Sequence, residues 1–201
     1  MKTSDVLAYP IEDRLYLNIT DRCTLSCVFC PKTRGSRQVH HYDLTLRERP
    51  RPDAVIDAIG DPTRYAEVVF CGYGEPTLRL KPLLQIATHV KVLGGRVRIN
   101  TDGLANLVHK RNVVPELATC VDAISVSMNA QNAAVYDRHC RPALPNAYPA
   151  MLDFLALASE RIADVTATAI DGLEGVDIEA CRELAMARRV KFRARRLDVV
   201  G

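Results

Sequence analysis

Cys23, Cys27 and Cys30 fall within the eight residues Cys23-Thr24-Leu25-Ser26-Cys27-Val28-Phe29-Cys30, directly after the strand-like run Leu15–Thr20. Three thiolates on one loop can hold three irons of a [4Fe–4S] cube and leave the fourth iron open. Clusters that only carry electrons generally use four cysteines, so a set of three points to a cluster that binds a substrate or cofactor. A zinc site completed by His40 or His41 is the competing use of the same thiols. A disulfide framework fits less well, because seven cysteines is an odd number and Met1–Pro10 holds no apolar signal segment. The expected compartment is therefore a reducing cytoplasm, where thiolates stay available.

A second polar set follows the apolar run Glu67–Cys71, in Phe70-Cys71-Gly72-Tyr73-Gly74-Glu75-Pro76-Thr77. Glycines at a strand end let backbone approach a ligand closely, and a carboxylate beside them can accept hydrogen bonds from an ammonium group. A third set, Asn100-Thr101-Asp102-Gly103, closes the run Arg96–Asn100, and Ser125, Ser127 and Asn129 alternate along Ala123–Met128. All three sets fall at the carboxyl ends of strands, where α/β sheets bind ligands. Cys140 lies among Arg138, His139 and Arg141, cations that favour a thiolate; it is a candidate catalytic thiol as well as an ordinary buried one. Arg193 and Arg195 alternate with Phe192 and Ala194. They either hold an anion inside the fold or guard an edge strand against aggregation, the slightly preferred reading.

The elements that position these residues alternate in type. Strands are expected at Leu15–Thr20, Glu67–Cys71, Arg96–Asn100, Ala123–Met128, Val165–Ile170 and Phe192–Leu197. Helices are expected at Asp53–Ile59 with Asp53 as N-cap, then Lys81–Leu93, Val114–Thr119, Ala133–His139, Ala147–Arg161 and Val176–Arg188. The basic stretch Lys32–Pro52 reads as a long loop that covers the site, receives an anionic partner or is simply solvated. This order implies βαβ units and a mostly parallel sheet, and six units are too few to close an eight-stranded barrel. Strand alternation puts Tyr16, Asn18 and Thr20, then Ser125 and Ser127, then Thr166 and Thr168 on interior faces, with apolar partners toward the helices. With 201 residues, 48% apolar and 25% charged, the chain is expected to form one domain, 1–201, with a cluster loop at about 21–32 and no separate C-terminal domain. The net charge of +3 does not call for a nucleic-acid partner, and no apolar run is long enough for a membrane span.

The Cys-x3-Cys-x2-Cys spacing, with Phe29 before the last cysteine, resembles the radical S-adenosylmethionine superfamily. The resemblance implies an open partial (β/α)6 barrel, a [4Fe–4S] cluster on Cys23, Cys27 and Cys30, and S-adenosylmethionine as cofactor. It implies reductive cleavage to a 5′-deoxyadenosyl radical that abstracts hydrogen from a substrate. Gly74 and Glu75, with Gly72 and Tyr73 as a variant lead-in, match the motif that meets the methionine amine. Asn100 and Thr101 match the third-strand motif near the methionine end, where Asp102 departs from the commoner asparagine. Ser125, Ser127 and Asn129 match the position that bonds ribose or carboxylate, and the Phe29 backbone is expected beside adenine. The segments YLNITDRC, VFCGYGEPTLRL, VRINTDG, DAISVSMNAQ, HCRP and RRLDVVG look like the small radical proteins associated with TatD-type nucleases. Expected partners are an electron donor such as flavodoxin or ferredoxin, and a protein or macromolecular substrate that closes the barrel. A 7-carboxy-7-deazaguanine-synthase-like reaction, a glycyl-radical-activating one, and a non-catalytic iron–sulfur or zinc regulatory module are the alternatives.

Overall fold

The computed structural model describes residues 5–197; the last four residues of the RRLDVVG motif lie outside them. Strand β1 (Ala8–Ile11) turns back into β2 (Arg14–Leu17), and β3 (Gln38–Val39) pairs with β4 (Tyr42–Asp43) in a separate small hairpin. Then come α1 (Pro52–Ile59), β5 (Glu67–Phe70), α2 (Leu80–Val92), β6 (Val97–Thr101), α3 (Ala105–His109), α4 (Val114–Leu117) and β7 (Ala123–Ser127). The chain continues through α5 (Ala133–Cys140), α6 (Ala147–Ser159), β8 (Asp164–Asp171), α7 (Ile178–Ala187) and β9 (Lys191–Arg196).

The large sheet has the order β1-β2-β5-β6-β7-β8-β9. The strands from β2 to β9 are parallel, and β1 is antiparallel on the β2 edge. Among the described residues β9 pairs only with β8, so the curved sheet stays open, as the alternation of elements predicts. β5 reads Glu-Val-Val-Phe and is buried throughout, as a strand covered on both faces must be. Residues of one parity, such as Leu15, Leu17, Val68, Phe70, Ile99, Ile124, Val126 and Val165, join the helices in a single apolar cluster. The opposite parity points into the barrel.

Local chemistry explains the helix ends. Pro52 opens α1, where a missing N–H costs nothing. Its N-cap is Arg51 rather than the expected Asp53, which sits in the first turn with its charge toward the positive helix end. α2 stops at Leu93-Gly94, with Gly94 at φ 84° and the Gly95 amide returning to the Val90 carbonyl at 2.9 Å. Asn132 and Asp177 cap α5 and α7 by accepting from the amides of Val135 and Ala180, each at 3.0 Å. No helix of the described residues is long and apolar enough to cross a membrane.

Candidate functional site

The three-cysteine loop leaves the carboxyl end of β2 and is strapped along its length. The end of α5 accepts from it: the Ser26 amide donates to the Cys140 carbonyl at 3.0 Å and the Val28 amide to the His139 carbonyl at 2.9 Å. The Ala143 amide returns a bond to the Thr24 carbonyl at 2.9 Å, and Leu25 bridges to Pro142. Phe29 and Leu25 sink into the apolar core. Arg79 fixes the approach by donating to the carbonyls of Ile19 and Pro50, both at 2.8 Å. Backbone on both sides thus holds the loop, and its thiols are free for a ligand.

Cys23 is exposed, and Cys27 and Cys30 are half-buried. Although Cys23 reaches solvent, the surrounding protein withdraws water from it, and this desolvation pushes the Cys23 and Cys30 thiols upward; the acids Asp102 and Glu75 add to the effect at Cys23. Cys27 is pushed up first by a hydrogen bond with Cys140 and then by burial. Iron must displace these protons to bind. Among the described residues no three His, Cys, Asp or Glu side chains converge on one ion position. His41 instead stacks against Tyr42, with ring centroids 4.0 Å apart.

The glycines after β5 serve the loop. A Cβ on Gly74 would stand 2.3 Å from the Arg22 carbonyl oxygen, and one on Gly72 would stand 2.6 Å from the Asn18 Cα. Their bareness lets this turn press against the start of the cluster loop, where the Glu75 amide donates to the Arg22 carbonyl at 2.8 Å. Tyr73 is likewise occupied: its amide donates to Asn18 Oδ1 at 3.3 Å and its hydroxyl to the Ser36 carbonyl. Gly74→Ala is therefore expected to cost about 1–3 kcal/mol, read by urea unfolding, and to lower iron retention by displacing Arg22. Unchanged stability and iron content would contradict this role.

Glu75 and Asp102 form a buried carboxylate pair. Glu75 is 4% exposed and Asp102 5%. Glu75 Oε1 accepts from the Thr77 amide at 2.9 Å, the Thr77 hydroxyl at 2.6 Å and the Thr101 hydroxyl at 2.9 Å; Oε2 accepts from the Asp102 amide at 2.7 Å. Asp102 accepts from the Leu104 amide at 2.9 Å and from the hydroxyl of Thr24, inside the cluster loop. Burial, then the charge of Asp102, pushes Glu75 up to about 8, and burial pushes Asp102 up as well. Among the described residues no Lys or Arg forms an ion pair with either acid. The sequence singles out Glu75 and Thr101 as candidates and gives Asp102 no definite role. The departure from asparagine was the available signal.

Asn129 lies just past β7 at φ 58° and is 1% exposed. Its Nδ2 donates to the Ser127 carbonyl at 3.3 Å and to Cys140 Sγ at 3.6 Å, and its Oδ1 is buried with no partner. Cys140 is fully buried, between Asn129 and Cys27. The cations expected to act on it are turned to other partners: Arg138 lies 3.7 Å from Glu174, and His139 Nε2 meets the Glu174 carbonyl at 2.7 Å. Cys120 and Cys181 are small buried core residues, as their sequence contexts predict.

Asn100 and Ser125 are register partners on β6 and β7. Their side chains line a barrel cavity of about 300 Å3 whose lining includes neither Glu75, Asn129 nor the cysteines. Thr166 and Arg193 line it too, so the interior is polar and Arg193 faces it, although β9 is the expected edge strand. At the amino ends of the strands Glu67 accepts from Arg98 at 2.7 and 2.9 Å and from Arg96 at 2.8 Å. Burial alone would raise the Glu67 carboxyl, but these bonds outweigh it and hold it at about 2.

Known proteins share this fold. The radical SAM superfamily model matches residues 17–186. The fold is similar to that of SuiB from Streptococcus suis, at 14% identity and a TM-score of 0.68, over 94% of this chain and 40% of SuiB. SuiB bound to its precursor peptide SuiA matches at 15% identity with a TM-score of 0.69, over 92% of this chain and 39% of that one. Native anSMEcpe with bound AdoMet matches at 11% identity with a TM-score of 0.64, over 91% of this chain and 50% of that one. The chain thus spans about 40% of the length of SuiB, and identities this low speak for the fold. No curated protein matches the chain. By the family model and the three-cysteine loop it contains, the chain belongs to the radical SAM superfamily.

Proposed function

We propose that this protein is a radical S-adenosylmethionine enzyme that takes hydrogen from a C–H bond of its substrate. The carrying observation is the link from Thr24, between the first two cysteines, to Asp102 and on to Glu75. It places two buried acids that lack a cation beside the loop expected to carry the cluster. Buried carboxylates without a partner are costly, and the ammonium group of S-adenosylmethionine supplies the missing charge. Cys23, Cys27 and Cys30 would each hold one iron. Glu75 and Asp102 would take the methionine amine, with Thr101 and Thr77 keeping Glu75 in place. The orphaned Oδ1 of Asn129 suits a ribose hydroxyl, and Ser127 and the backbone of Phe29, Gly72 and Tyr73 complete the cofactor site.

A cluster on Cys23, Cys27 and Cys30 with S-adenosylmethionine would supply one-electron cleavage of a carbon–sulfur bond, with release of methionine, and hydrogen abstraction from the substrate. The chain's own part is to orient the cofactor by its amine and ribose, and to exclude water from a site backed by Cys140, Tyr136 and the core. The fold it shares with SuiB and anSMEcpe supports this reading, since the solved forms of those proteins include complexes with S-adenosylmethionine. Finer parts of the proposal are a cytoplasmic setting with a flavodoxin or ferredoxin as donor, a partner protein or macromolecular substrate over the open barrel, and kinship with the TatD-associated proteins.

The reading is tested by electron paramagnetic resonance on anaerobically reconstituted, reduced protein. Adding S-adenosylmethionine is expected to change the cluster spectrum, because the cofactor ligates the open iron. A spectrum that stays the same at saturating cofactor would count against it.

A further inference from the structure

The barrel interior below the cofactor level has no role in the reading above, yet its chemistry is specific. Barrel interiors are ordinarily filled by branched apolar side chains. Here a cavity of about 300 Å3 is lined by Tyr16, Asn100, Ser125, Thr166 and Arg193 above a floor of charged groups. The floor accounts for itself. Glu67 is paired with Arg14, Arg96 and Arg98, and Asp164 with Arg96, Arg98 and Lys191, at 2.7 to 3.5 Å. Arg14 also meets Glu12 and Asp13 at 3.6 and 3.1 Å, so the floor's four cations share four carboxylates and its charges balance.

The layer above the floor is not self-satisfied in this way. Among the described residues no carboxylate lies within ion-pair distance of Arg193. Arg193 faces the cavity and is close enough to Tyr16 for its charge to act on the phenol. Asn100 Oδ1 is buried and has no hydrogen-bond partner. Ser125 is 6% exposed and borders the same space. A guanidinium without a carboxylate and the hydroxyls of Ser125 and Thr166 converging on one cavity form a receptor for a small polar anion, and the orphaned Asn100 oxygen, an acceptor, calls for a donor group elsewhere on the same molecule.

We propose that this cavity binds the anionic end, a carboxylate or a phosphate, of the enzyme's small-molecule substrate, with Arg193 as its charge partner. Asn100, Ser125 and Thr166 supply hydrogen bonds to the rest of the molecule. This rests on the radical reading and names the substrate class. The cavity volume admits a small metabolite and excludes a folded protein or a nucleic-acid duplex. Ser125 lies within β7, whereas Asn129 lies past its carboxyl end, so the cavity sits below the level expected for the cofactor. The anion and the carbon that yields hydrogen therefore belong to opposite ends of the molecule.

The test is calorimetric titration of the reconstituted protein with inorganic phosphate and, separately, malonate, at ionic strength held constant with chloride. At least one probe is expected to bind saturably, and the stronger identifies the anion class. Arg193→Ala is expected to weaken binding at least tenfold, with Arg193→Lys restoring part of it. Arg196→Ala, on the opposite face of the same strand, should leave affinity unchanged, and thermal unfolding of each variant checks its fold. No saturable binding of either probe, or equal binding by Arg193→Ala, would overturn the proposal. The readout is separate from the radical reading: a protein that binds cluster and cofactor but no anion refutes only the cavity, and one that binds anion but no cluster refutes only the radical chemistry.

Discussion

Glu75→Gln is expected to weaken S-adenosylmethionine binding by ten- to a hundredfold at pH 8 and to abolish the rise in affinity with pH. In the wild type, burial and the charge of Asp102 raise the Glu75 carboxyl to about 8, so the ligand-free site keeps a proton below that pH. An ammonium group favours the ionised acid, and its binding therefore expels the proton. Affinity should rise up to tenfold per unit from pH 6 toward about 8 and fall again above it, where an α-amino group loses its own proton. Glutamine keeps the size and the hydrogen bonds to Oε1 but cannot ionise, so the charge-assisted part, about 1.5–3 kcal/mol, is lost where the wild-type acid is ionised, and the difference from wild type shrinks as pH falls toward 6. Asp102→Asn removes the neighbouring charge and should move the midpoint of the rise to lower pH.

The same shift has a sign for stability. In the unfolded chain Glu75 ionises near its ordinary value, while in the folded chain it keeps its proton up to about 8. The unfolded state thus holds fewer protons between these limits. The contribution of Glu75 to stability falls as pH rises through that window, by at most ~1.4 kcal/mol per unit, and is constant on either side. Glu75→Gln should flatten this slope in unfolding measured against pH. An affinity that does not change with pH in the wild type would remove the acid pair from the cofactor site.

The second large effect belongs to the thiols. Cys27→Ala is expected to lose nearly all of the iron and sulfide, roughly four of each per chain, that the reconstituted wild type holds. Cys23 and Cys30 should behave alike. Cys140 is the neighbour that most raises the Cys27 thiol. Cys140→Ala should keep the cluster, since Cys140 is in the wall behind the loop and its carbonyl, not its thiol, carries the Ser26 bond. Zinc without sulfide in the wild type would favour the regulatory module instead.

Much of the framework was legible in the sequence because periodicity and caps are local. Each parallel strand and each long helix falls within a few residues of its expected span. β1 was not foreseen. Pro10 lies within it, and its turn puts Glu12 at φ 53°, a conformation that turn signals assign to Gly, Asn or Asp. The β3–β4 hairpin turns at His40, also at positive φ, inside a stretch read as loop. Spacing points to the cysteines, and the family resemblance adds Glu75 and Asn129. The links among them were not legible, since Thr24 meets Asp102 across 78 residues and Tyr9 meets Cys71 across 62. The glycines of the Gly72–Glu75 turn were read as room for a ligand, and the structure shows them yielding room to Asn18 and Arg22. Arg193 was placed on an edge strand correctly, but which way it faced depended on a barrel that only the fold creates.

The central claim is that the three-cysteine loop and the acid pair beside it form one radical-generating site. It is tested most directly by incubating reduced, reconstituted protein with S-adenosylmethionine and measuring 5′-deoxyadenosine by mass spectrometry, with Cys27→Ala in parallel. The account predicts 5′-deoxyadenosine from the wild type and none from the variant. Equal yields from the two, or none from a wild type with a full and reducible cluster and bound cofactor, would contradict it.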